Sequence, residues 1–70
     1  MIKDLSIKLK DLRTKLGYSQ TQIAMKLNVT PGIISAYECG TKSPSLESLV
    51  ALAQLYKCST DYLLGLTDVT

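Results

Sequence analysis

Five apolar residues near the start of the chain, Ile2, Leu5, Leu9, Leu12 and Leu16, recur at spacings of three and four. That period lines up one face of a helix, so a first helix is expected near 3–16, with Gly17 ending it. In "YSQTQIAMKLN", Ser19 is followed three residues later by Gln22, the pattern of a capping box, and Ile23, Ala24 and Leu27 supply the apolar face of a short second helix near 20–27. Thr30 stands where a third helix, near 31–39, needs an N-cap. Pro31 follows at the first helical position, where its missing N–H costs nothing, and Gly40 sits just past the end. The polar run "TKSPS" leads to a fourth helix near 46–56, capped by Ser45. Its Leu46, Leu49, Val50, Leu52, Ala53, Leu55 and Tyr56 are apolar over most of the circumference, which predicts burial on several sides. A fifth helix near 60–64 begins at Ser59, carries Asp61 in its first turn and stops at Gly65. No segment alternates with period two, so the expected fold is all-α without a sheet, a single domain over 1–70.

Composition narrows the chemistry. Seventy residues, 46% hydrophobic, hold one small core and no second one. A chain of this size hides only about 60% of the surface it exposes when unfolded, so modest stability is expected. Cys39 and Cys58 are far apart and the chain has no histidine, which removes the usual zinc spacings and reads as two free thiols in a reducing compartment. No metal, cofactor or small-molecule ligand is expected. Nor does any apolar run approach the roughly 20 residues that cross a bilayer, and the N-terminus shows no targeting pattern. A cytoplasmic protein without a membrane partner is the expectation. The net charge of +2 permits an anionic partner without demanding one. A carboxylate pair, a nucleophile motif and a phosphate loop are all missing from the sequence, so an enzyme is not expected.

Two short helices joined by a tight turn, inside an all-helical domain of this size, have the geometry of a helix-turn-helix unit. The residues that fill it are Leu12, Arg13, Gly17, Ser19, Gln20, Ile23, Ala24, Leu27, Val29, Thr30, Ile34, Ser35, Tyr37, Glu38 and Gly40. They are followed by Pro44, Ser45, Leu49, Leu52 and Ala53. In that register the chain resembles the helix-turn-helix family of phage repressor, Cro and xenobiotic-response-element (XRE) regulators, and the match runs over residues 9 to 66. The resemblance implies a five-helix, lambda-repressor-like DNA-binding domain with the motif at helices two and three. It also implies an ion pair between Arg13 and Glu38 that ties the first helix to the recognition helix.

Double-stranded DNA is then the expected partner, although the stretch "TPGIISAYECG" carries a single charged side chain, Glu38. Helix N-termini offer free N–H groups and partial positive charge to phosphates, at Ser19 and Gln20 and again at Thr30. By resemblance Gln20 contacts backbone phosphate, as do Thr41, Lys42 and Ser43 after the recognition helix. The base-facing set is Thr30, Pro31, Gly32, Ser35 and Ala36, with Ile33 beside it. The sequence departs from the family here, because Pro31 and Gly32 stand where side chains able to make bidentate base contacts are common. Ala36 is suited to a thymine methyl group.

The expected function is a sequence-specific transcriptional regulator, a bacterial or phage repressor that binds an inverted-repeat operator as a homodimer. The alternative is a protein-interaction adaptor of the same fold, antirepressor-like or toxin-neutralising, using the apolar face at Pro31, Gly32, Ile33 and Ala36. Tyr62, Leu63, Leu64 and Leu66, with Val69, add apolar surface near the chain's end and are the expected dimer interface.

Overall fold

The computed structural model describes residues 5–69. They form five helices in chain order: α1 (Leu5–Lys15), α2 (Gln20–Leu27), α3 (Pro31–Cys39), α4 (Leu46–Leu55) and α5 (Thr60–Leu63). The first helix lies near its expected place, but Ile2 and the start of the range 3–16 fall outside the described residues. At its other end Leu16 lies beyond the helix and is 48% exposed. The cause is Gly17, whose φ of 79° is open to glycine and strained for other residues, so the chain turns away before Leu16 completes the stripe. Leu5 and Leu9 remain on the buried side, and Leu12 packs half-buried against the core.

The capping box of α2 is complete: the Gln22 N–H donates to Ser19 Oγ at 3.1 Å and the Ser19 N–H donates to Gln22 Oε1 at 2.7 Å. The helix ends at Asn28, which takes the left-handed conformation at φ 59°. Asn tolerates that region because its short polar side chain limits the steric cost. The Val29 N–H then donates to the Ala24 carbonyl at 2.9 Å, closing a turn of only Asn28, Val29 and Thr30 before α3 begins at Pro31. At Thr30 the backbone has N-cap geometry but the side chain makes no capping bond, which corrects the capping role expected for its hydroxyl.

Leu9, Ile23, Ile34, Leu52 and Leu63, one from each helix, are the largest fully buried side chains. Ala24, 1% exposed, lies in the same core, on the helix that packs directly against α3. α1 and α2 both pack on α3, while α4 rests on α2 and α5, and α5 reaches back to α1. The fourth helix corrects an expectation. It buries one face through Leu49, Leu52 and Ala53, with Tyr56 at its cap, whereas Leu46 and Val50 are 78% and 38% exposed. A domain this small cannot surround a helix, so part of an apolar circumference stays in water. α5 ends at Leu63 with Leu64 as its cap residue. Among the described residues no helix is long and apolar enough to cross a membrane.

Candidate nucleic-acid interface

Arg13 organises the junction between α1, α2 and α3. Its Nε donates to Glu38 Oε2 at 2.7 Å and its Nη2 to Glu38 Oε1 at 3.0 Å, a bidentate pair with 12% and 2% of the two side chains exposed. Its third donor, Nη1, reaches the Tyr18 carbonyl at 2.8 Å, and the Tyr18 N–H in turn donates to the Arg13 carbonyl at 3.1 Å. One side chain therefore fixes both the α1–α2 connection at Tyr18 and the C-terminal half of α3. The bond to Glu38 holds the guanidinium above its ordinary range against the opposing effect of burial. A buried pair of this kind adds little net stability when intact. Removing one partner costs about 3 to 5 kcal/mol because the other charge is left unpaired.

Gln20, the first residue of α2, joins the same cluster. Its Nε2 donates to Glu38 Oε1 at 3.1 Å, so that oxygen serves both Gln20 and Arg13. This bond is not written in any local spacing, since the partners are eighteen positions apart in different helices.

Thr30, Pro31 and Gly32 are exposed and form the projecting N-terminal end of α3, while Ser35 and Ala36 one turn later are half-buried. A Cβ on Gly32 would meet nothing nearer than Thr30 Oγ1 at 3.9 Å. The small surface there is thus a matter of composition, with no packing that requires glycine. Ile33 is half-buried as Ser35 and Ala36 are and packs against the core, so the apolar face expected on α3 presents only part of its largest member. The loop after α3 is exposed at Thr41, Lys42 and Ser43. Gly40, at φ 79°, turns the chain so that the Thr41 and Lys42 N–H groups both donate to the Ala36 carbonyl, at 3.1 and 3.3 Å. The Thr41 hydroxyl donates to that carbonyl as well, at 3.3 Å, so its proton is already committed to closing the helix.

Of the C-terminal apolar residues, Leu63 is fully buried and cannot meet a second copy without leaving the core, which corrects its place in the expected dimer interface. Tyr62 and Leu64 are half-buried, and Leu66 and Val69 are 73% and 77% exposed. Lys8 lies over the Tyr62 ring, its Nζ 4.7 Å from the centroid. Cys39 is exposed and Cys58 half-buried, its thiol pushed up by burial, and both are free. Among the described residues no group of histidine, cysteine or carboxylate side chains could hold a metal ion.

Comparison with known proteins places this geometry. The helix-turn-helix family profile matches residues 9–63. The transcriptional regulator ImmR of Bacillus subtilis (strain 168) is 42% identical over 66 residues, covering 94% of this chain and 52% of that protein. RstR, a transcriptional repressor of the cryptic phage CTXphi from Vibrio cholerae, is 39% identical over 51 residues, 73% of this chain and 46% of its own. The chain spans about half the length of the curated relatives it matches. Among solved structures, the P22 c2 repressor in complex with a synthetic operator superposes with a TM-score of 0.81 at 30% identity, over 84% of this chain and 89% of the other. The N-terminal DNA-binding domain of SinR from Bacillus subtilis does so with a TM-score of 0.79 at 26% identity, over 87% and 90%. The chain belongs to the helix-turn-helix family of phage repressors and XRE-type transcriptional regulators.

Proposed function

We propose that this chain is the operator-binding unit of a bacterial or phage transcriptional repressor, working in the cytoplasm as a homodimer on inverted-repeat DNA. The observation that carries this reading is the exposed rim formed by the start of α2, the start of α3 and the loop after it, clamped to α1 by Arg13 and Glu38. The P22 c2 repressor, which shares the fold, was solved on operator DNA. Free N–H groups at the two helix starts suit phosphate oxygens, and a rigid clamp keeps their spacing fixed.

In this reading Ser19, Gln20, Thr30, Lys42 and Ser43 hold the DNA backbone, Thr41 closes α3 with both its N–H and its hydroxyl, and Thr30, Pro31, Gly32, Ser35 and Ala36 face the groove floor. The described residues measure 29 Å along their longest axis, less than the roughly 34 Å between successive turns of one groove, so a single copy covers one half-site. Two copies meeting through Tyr62, Leu64, Leu66 and Val69 would cover both. Ile33 is partly buried against the core, which narrows the apolar surface that an adaptor docking protein on α3 would use.

The testing experiment is selection from a random-sequence duplex library, followed by sequencing of the retained fraction. The reading expects an enriched inverted repeat. Retention without any enriched sequence contradicts it.

A further inference from the structure

The bond between Gln20 and Glu38 carries an inference that rests on the DNA-binding reading and deepens it. A carboxamide nitrogen has two N–H groups that diverge in one plane. Glu38 Oε1 takes one of them at 3.1 Å, and Glu38 is itself immobilised by two bonds from Arg13. The Gln20 side chain, at the partly exposed first position of α2, is therefore fixed in rotation with a second N–H left over. We propose that Glu38 is a positioning residue for DNA: it presets the Gln20 amide so that the remaining N–H meets a phosphate oxygen without further loss of side-chain freedom. A carboxylate with 2% of its side chain exposed thereby assists an anionic ligand that it would otherwise repel. An ordering cost already met in the free protein is affinity gained on binding.

The charge of Glu38 makes the test sharp. Glu38→Gln removes a negative charge near the DNA face, a change that by itself favours binding to any duplex. It also replaces the carboxylate that orients Gln20 with a weaker neutral acceptor. Affinity for a duplex recovered by library selection is measured for the parent chain, Q20A, E38Q and the double variant, at one salt concentration where circular dichroism shows all four folded. The expected result is that E38Q weakens binding about three- to tenfold in the parent, as for one freed rotor-rich side chain. In the Q20A background the same substitution should cost clearly less, because only the clamp to Arg13 is then affected. Glu38→Asp keeps the charge but withdraws the oxygen by one methylene, and it should likewise cost more affinity where Gln20 is present than where it is not.

Equal losses in both backgrounds would mean that Glu38 acts only by holding the helices together, and would overturn the positioning role. So would tighter binding by E38Q in the parent. A parent chain that retains no duplex at all removes the DNA-binding reading and this inference with it, whereas equal losses remove this inference alone.

Discussion

Lys8 on α1 donates its ammonium to the Tyr62 carbonyl of α5 across 2.8 Å while lying over the ring of the same residue. The Tyr62 carbonyl already accepts from the Gly65 N–H at 3.1 Å, so the ammonium fills its second lone pair and meets the partial negative charge at the helix end. In a four-residue helix this contact matters more than it would in a long one, because α5 has few bonds of its own. Lys8→Ala should lower global stability by about 1 to 2 kcal/mol. It should also speed amide exchange at Leu64 and Gly65 more than at Ile23 in the core. Hydrogen exchange read residue by residue checks both the size and the locality.

The bond from Lys8 also shows where sequence reading stops. Helix positions, the capping box and the Arg13–Glu38 pair were legible because each depends on local spacing or on a register shared over the whole motif. Lys8 and Tyr62 are 54 positions apart and meet only because α1 and α5 pack together, so nothing near either residue signals the contact. Gln20 and Glu38 are the same kind of case. Leu63 departs from its expected place for a related reason: apolar character says that a side chain prefers burial, but its direction on a helix decides whether core or partner covers it. In α4, composition alone overstated burial, since Leu46 and Val50 face water in a chain with too little mass to cover them.

Lys57 follows α4 in the left-handed region at φ 56°, a conformation that costs a residue with a Cβ about 1 kcal/mol. Its side chain is exposed and makes no hydrogen bond or ion pair among the described residues. Lys57→Gly should therefore raise stability by about 0.5 kcal/mol after the greater freedom of glycine in the unfolded chain is counted, whereas the β-branched Lys57→Val should lower it by more than that. Urea unfolding of the two variants beside the parent gives the sign directly.

Burial, and then the nearby Glu38 carboxylate, push the Tyr56 phenol up to about 12 against the opposing pull of Arg13. An unfolded tyrosine ionises near 10. The contribution is thus fully present below about pH 10 and is lost as pH rises towards 12, because the unfolded chain releases its proton first. The slope is at most about 1.4 kcal/mol per pH unit in that window. Denaturant titrations at about pH 9 and pH 11 should show this loss in the parent, and Tyr56→Phe should reduce it.

Affinity and specificity should separate along the interface. Lys42→Ala should weaken binding to every duplex alike and shallow the salt slope by about one unit per protomer. Ala36→Gln should instead change which half-site is preferred, since one good bidentate contact discriminates between bases by about 1 to 3 kcal/mol. With so few hydrogen-bonding side chains at the start of α3, part of the selectivity should come from how readily the operator bends at its untouched centre. Operators mutated singly, at half-site and central positions and at one fixed salt concentration, distinguish these contributions. A changed base preference in Lys42→Ala with none in Ala36→Gln would show that α3 is oriented differently.

The most direct test of the central claim is a salt series with two duplexes of equal length and composition, one carrying the inverted repeat recovered by selection and one with that repeat scrambled. Operator binding through the α2–α3 rim predicts that log affinity for both falls linearly with log salt, with the repeat held tighter at every point. Affinity for the repeat that does not change with salt, or that matches the scrambled duplex throughout, would contradict it.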